Sequence, residues 1–202
     1  FKQKTAYEIP KRDWSSDVCS SDLNLANALS DLNQLDEAMA LYEQVLARQP
    51  DHANALNGSA VVLAMRGKPQ EARARLERSL ALAPGNAGAH NNLGNVCSML
   101  GDRAGALRHY GRATELNPRE AHPHFLIGSL LTQDGKLEEA AASFRRAIAL
   151  QPRHADALAQ LGLVLARLGR RDEATRALEA ALQQRPGDAQ ITAWLASVRV
   201  AP

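Results

Sequence analysis

The chain has 202 residues, 45 % apolar but only 4 % aromatic, with 24 basic against 22 acidic side chains and a formal charge of +2. Such an even balance supplies no field for gripping nucleic acid or an anionic membrane, and no stretch approaches the roughly 20 apolar residues of a membrane-spanning helix. With so few aromatics the core falls to Ala and Leu, good helix formers with little rotamer freedom to lose, which points to closely packed helices.

In chain order, residues 1–23 stand apart first. They hold three of the five lysines, one of the two tryptophans and one of the two cysteines. Lys2–Ile9 and Asp13–Leu23 resemble the translated constant parts of a sequencing-library adapter, in one frame and in the right order, with Pro10–Arg12 where a variable index would lie. The segment is therefore expected to be foreign, with residues 19–23 overlapping the first repeat helix, and Lys4, Trp14 and Cys19 to carry no function. On this reading the natural start is missing, and any targeting signal with it. Beyond Asn24 the only lysines are Lys68 and Lys136, an Arg preference that points to a GC-rich bacterial coding sequence.

From there the chain repeats. Pro50, Pro84, Pro118, Pro152 and Pro186 are each 34 residues apart, a period that marks a solenoid. Seventeen residues before them stand Asn33, Gly67, Gly101, Gly135 and Gly169. These separate apolar-periodic segments such as Asn91–Leu100 and Ala104–Leu116, where a helix end needs a left-handed residue and Gly or Asn takes that conformation at least cost. Two small-residue columns, Ala26/Ala60/Gly94/Gly128/Gly162 and Ala38/Ala72/Ala106/Ala140/Ala174, let two helices approach closely. A bulky column, Tyr42/Leu76/Tyr110/Phe144/Leu178, fills the space between adjacent pairs. Each proline ends a second helix, and acidic residues (Asp36–Glu37, Glu71, Glu138–Glu139, Asp172–Glu173) gather where the dipole at the second helix's start favours them.

This pattern is similar to the tetratricopeptide repeat (TPR). The strict 34-residue spacing, the small columns and the near-neutral charge separate it from the pentatricopeptide readers of RNA. The resemblance implies an all-α fold, an α-solenoid wound as a right-handed superhelix of five helix–turn–helix repeats plus a partial sixth. The expected boundaries are 24–52 (truncated at its start), 53–86, 87–120, 121–154 and 155–188, with a lone helix at 189–202. The apolar Ile191, Trp194, Leu195, Val198 and Val200 of that last helix suggest a parent chain longer at both ends.

Candidate chemistry is sparse. His122 and His124 flank Pro123 in what reads as a loop entering a helix; two apart, they share no helix face and lack a third ligand. Cys97 fills the slot of Leu29, Leu63, Leu131 and Leu165, a core position, and His52 and His154 read as linker residues. No phosphate-cradling loop, nucleophile elbow or acid pair is present. The arginines at 73, 75, 78, 145, 146, 170 and 171 are expected on solvated faces, balanced by nearby acids through i,i+4 pairs. The segment is expected to have no catalytic activity, cofactor or metal.

In the family the first helix of each pair lines the concave face. Carried over, that face comprises Asn27, Asn54, Asn57, Val61, Met65, Asn91, Asn95, Met99, Phe125, Ser129, Gln133 and Arg167. An Asn amide both donates and accepts, so a ladder of them can hold a peptide backbone with little demand on its sequence, while Met65, Met99 and Phe125 offer adaptable apolar contact. The family's basic clamp for a C-terminal carboxylate is missing, since Asn57, Asn91, Gly88 and Asn92 stand where it should be. The run from His90 to Asn95 resembles repeats attached to protein O-linked N-acetylglucosamine transferases. The expected role is a scaffold holding a protein or peptide segment in the groove. Two alternatives are a recruiting arm of a larger bacterial glycosyltransferase or sulfotransferase, and an RNA binder, which would show steep salt dependence.

Overall fold

The computed structural model describes residues 14–200, with side chains from Ser20 to Arg199. Lys4, Trp14 and Cys19, expected to carry no function, lie outside the described side chains.

Eleven helices and no strand are found among the described residues: α1 (Trp14–Asp31), α2 (Leu35–Arg48), α3 (Ala53–Met65), α4 (Pro69–Leu82), α5 (Ala87–Met99), α6 (Arg103–Leu116), α7 (Ala121–Gln133), α8 (Leu137–Leu150), α9 (Ala155–Arg167), α10 (Arg171–Gln184) and α11 (Ala189–Val200). This is an all-α solenoid of paired helices. The chain divides into two compact units, one ending at Pro84 and one beginning at Gly85. The first unit holds α1–α4, the second α5–α11.

The turn inside each pair is a main-chain device. Asn33 has φ 59°, and Gly67, Gly101, Gly135 and Gly169 have φ between 73° and 78°. Each left-handed residue lets two hydrogen bonds close the helix end: in the second pair Gly67 N–H donates to Ala64 O at 3.0 Å and Lys68 N–H to Leu63 O at 2.9 Å. The same two bonds recur at Asn33/Gln34, Gly101/Asp102, Gly135/Lys136 and Gly169/Arg170, the double closure of a Schellman motif.

Each second helix stops two residues short of its proline. Gln49, Ala83, Asn117, Gln151 and Arg185 have φ between −131° and −136° and ψ between 73° and 88°. The ring that follows excludes helical geometry from the residue before it, so the helix ends there, ahead of the proline itself.

Side-chain caps close α3, α5, α6, α9 and α11 at their starts. Asp102 accepts the Gly105 N–H at 2.8 Å, Asn86 the Ala89 N–H at 3.0 Å, and Asp188 those of Gln190 and Ile191 at 3.0 and 3.1 Å. His52 and His154, read from sequence as linker residues, are caps as well: their Nδ1 atoms accept from Ala55 and Ala157 N–H, each at 3.3 Å. Asp102→Ala is expected to lower stability by about 1 kcal/mol in a urea titration, the usual loss of one capping bond, and no change would dismiss the cap.

In the first unit Ala26, Ala38, Tyr42, Val45, Ala55 and Val62 form the core. In the second a larger cluster runs through Leu131, Phe144, Leu158, Leu161, Val164, Leu178 and Ile191. The two columns meet inside each pair: a Cβ on Gly94 would lie 2.5 Å from Tyr110 ring carbons, one on Gly128 2.8 Å from Phe144, and one on Gly162 2.7 Å from Leu178. The bulky column thus fills space within a pair as well as between pairs. Of α11, Ile191, Leu195 and Val198 are buried, and the helix packs on α10 and α9.

Two local readings are corrected. His122 and His124 are not in a loop; they occupy the first turn of α7, with Pro123 buried between them. The arginine pairs run mostly between repeats: Arg73–Glu77 is i,i+4, but Arg75 reaches Glu43 at 2.5 Å, Arg78 reaches Asp51 at 2.6 Å and Arg145 reaches Glu173 at 3.1 Å. Each joins two second helices, or a second helix to a connecting loop, across the solvated side, where an ion pair contributes about 0–1 kcal/mol.

Candidate functional site

Most of the first helices touch a neighbouring first helix within their unit: α1 meets α3 in the first, and α7 meets α9 and α9 meets α11 in the second, while α5 and α7 approach each other less closely. The described second helices are joined inside a unit by long side-chain ion pairs and not by a comparable approach of their backbones. The first helices are therefore the tighter, inner side of each unit, and the residues assigned from sequence to the concave face are all on them.

In the first unit Asn27 and Asn54 are exposed, Asn57 and Val61 are half-buried, and Met65 is 51 % exposed. In the second, Asn91, Asn95 and Met99 follow one another at intervals of four on α5, one face of a helix. Met99 is 54 % exposed, an apolar side chain held out to solvent. On α7, Ser129 is half-buried and bonds to the Phe125 carbonyl at 3.1 Å, and Gln133 accepts from Arg103 at 3.3 Å. Arg167 of α9 reaches back to the Thr132 carbonyl at 3.5 Å, which ties it to the neighbouring pair.

Phe125 is less free than its position suggests. It stacks on His154 with centroids 5.0 Å apart, tilts against Phe144 at 5.8 Å and lies 6.3 Å from His122. Desolvation, against the opposing pull of Glu120, lowers the His122 pKa below the ordinary imidazole value. Desolvation first and then Arg146 do the same to His124.

The asparagines are the informative part. The Tyr42 hydroxyl donates to Asn27 Oδ1 at 2.6 Å, and the Tyr110 hydroxyl to Asn95 Oδ1 at 2.7 Å. Burial pushes both phenols up to about 12, helped by Asp31 near Tyr42 and Cys97 near Tyr110, so each keeps its proton and is the donor. Asn91 also turns its oxygen inward: its Oδ1 is buried with no hydrogen-bond partner. In all three the amide oxygen is the end directed inward.

Sequence reasoning missed the tyrosine–asparagine pairs, although a signal was present. The residue after the small column is Asn only where the bulky column holds Tyr (Asn27/Tyr42, Asn95/Tyr110); Val61, Ser129 and Leu163 accompany Leu76, Phe144 and Leu178. It also missed Trp194. That ring walls a cleft of about 250 Å³ on the inner side of the second unit, together with Ala159, Gln160 and the Arg185–Asp156 ion pair (2.7 and 2.8 Å). A cleft of about 320 Å³ lies on the outer side of the first unit, over Leu46, Pro50 and Leu56.

His90 and His109 also come together, with ring nitrogens 3.2 Å apart. Among the described residues no group of three or more His, Cys, Asp or Glu could hold a metal ion. Nor is any described helix long and apolar enough to cross a membrane.

Comparison with known proteins bears on the same surface. Family models described as tetratricopeptide repeat match residues 23–87, 63–129 and 155–198, and one described as TPR repeat matches 128–169. No curated protein sequence matches significantly. Among solved structures the chain is similar to YrrB, described as a TPR protein with an unusual peptide-binding site, at 30 % identity over 89 % of this chain and 91 % of that one, with a TM-score of 0.68. It is similar to TTC0263, a thermophilic TPR protein of Thermus thermophilus, at 25 % identity over 91 % of this chain and all of that one (100 %), with a TM-score of 0.70. Pseudomonas aeruginosa PilF shares the fold with a TM-score of 0.82 at 17 % identity, covering 91 % of this chain and 89 % of that one.

Proposed function

Because this chain belongs to the tetratricopeptide-repeat family, we propose that it is a protein-interaction scaffold whose first-helix face holds an extended peptide segment of a partner protein. The observation that carries the reading is the α5 face, where Asn91 and Asn95, their amide oxygens turned inward, line up with the exposed thioether of Met99. Amide donors suit a main chain, which repeats its carbonyls whatever its side chains, and methionine adapts to varied apolar shapes. The likeness to YrrB over nearly the whole of both chains supports it. Arg75, Arg78 and Arg145 are engaged with acids, which argues against their use on a nucleic-acid backbone.

The test is selection of binders from a phage-displayed library of random peptides on the immobilised protein. The peptides recovered are expected to lose about tenfold in affinity for an Asn91→Ala/Asn95→Ala variant, the effect of one or two lost hydrogen bonds. Affinity unchanged in the variant moves the site off α5.

A further inference from the structure

We infer that Tyr42 and Tyr110 are positioning residues that make Asn27 and Asn95 donor-only groups, so that each unit recognises the carbonyl edge of an extended peptide. The inference rests on the peptide-scaffold reading and narrows it to one edge of the ligand.

A free Asn amide can turn over and present either end, because its oxygen and nitrogen ends are nearly the same shape. Here the choice is removed. Each tyrosine is almost wholly enclosed, at 1 % and 2 % exposure, and its hydroxyl has one partner, the asparagine oxygen. A buried hydroxyl left without an acceptor loses its water partners for nothing in return, so the amide is held with its oxygen inward. The two N–H groups are then the end of the amide left to a ligand, and among the described residues neither Asn27 nor Asn95 has a second hydrogen-bond partner. The arrangement occurs once in each unit, and repeats without Tyr have no Asn at the matching position. Tyrosine and asparagine therefore work as a pair. A ligand on this face must bring acceptors; a backbone does so at alternate residues on one edge when it is extended.

The competing account is that these asparagines exist only to satisfy the tyrosines. Aspartate separates the two, since Asn→Asp has the same shape and still accepts from the hydroxyl but loses both outward donors. With the peptide selected above as probe, an Asn27→Asp/Asn95→Asp variant is expected to keep the wild-type melting temperature and bind about tenfold or more weakly. Tyr110→Phe, which frees the Asn95 amide to turn, is expected to weaken binding by a smaller factor. Copies of the peptide N-methylated at single positions, which keep every carbonyl, should include none that lose binding through these two residues: the wild-type to aspartate ratio stays the same in each. Wild-type affinity in the aspartate variant overturns the inference and leaves the scaffold reading standing if Asn91→Ala or Met99→Ala still weakens binding. A library that yields no peptide for the wild-type protein overturns both.

Discussion

Truncating Phe144 to alanine is expected to cost about 3–5 kcal/mol, the range for emptying a wholly buried aromatic site. The side chain is fully enclosed and sits at the centre of the second unit's core, over Gly128 of its own pair and against the Phe125 ring at 5.8 Å. Removal leaves a cavity that Gly128, having no side chain, cannot fill. Stability of an ordinary domain is about 5–15 kcal/mol, so the loss is a large fraction of the total. Phe144→Leu should cost less than about 1.5 kcal/mol, because leucine already fills the same column at Leu76 and Leu178. Urea unfolding followed by circular dichroism gives both values. Equal effects for the two variants would show that the column needs bulk of no particular amount.

The second large effect is expected at Gly94. A Cβ there would stand 2.5 Å from two carbons of the Tyr110 ring, so the ring must move. Alanine gains about 0.5–1 kcal/mol of helix propensity over glycine, but overpacking costs about 1–3 kcal/mol, and the net expectation is a loss. The first pair shows how alanine and tyrosine can coexist. Ala26 faces the Tyr42 column position, and the Tyr42 ring leans instead over Gly58 of the next helix, whose absent Cβ would lie 2.5 Å away. At the position matching Gly58 the fourth repeat has Leu126, so Tyr110 has no such refuge. Combining Gly94→Ala with Tyr110→Leu reproduces the Ala60/Leu76 combination and should recover part of the loss. The double-mutant cycle is expected to show a coupling of about 1 kcal/mol or more, and simple additivity would mean that the two residues do not compete for space.

Much of the architecture was legible because it rests on backbone geometry that only a few residue types allow. Asn33 and four glycines announced the left-handed turns, and each proline announced the residue before it that leaves the helix. What could not be read is what a side chain does once several of its groups compete. His52 and His154 recur like spacers, yet a neutral imidazole can accept a backbone N–H and so cap a helix. His122 and His124 surround a proline, which suggests a loop, but proline is tolerated in a helix's first turn, where its missing N–H has no partner to lose. The asparagines assigned to the groove lie on first helices, while the hydrogen-bonding polarity of Asn27 and Asn95 depends on tyrosines 15 residues away and became visible only in three dimensions. Trp194 was readable as an apolar residue of the last helix, but its place beside the Arg185–Asp156 pair was not.

The reversals between paired helices are closed by main-chain bonds, and four of the five residues that follow the left-handed position (Gln34, Lys68, Lys136 and Arg170) make no capping bond; Asp102 alone does. Three of the four are cationic, and Lys68 and Arg170 pair with acids in the first turn of the helix they open, Glu71 at 3.1 Å and Glu173 at 2.7 Å, so the main chain of the reversal leaves their side chains to the helix beyond it. Since the backbone alone closes the reversal, evolution or an engineer can rewrite charge and polarity at these sites for a new partner at the loss of no more than a surface ion pair, about 0–1 kcal/mol.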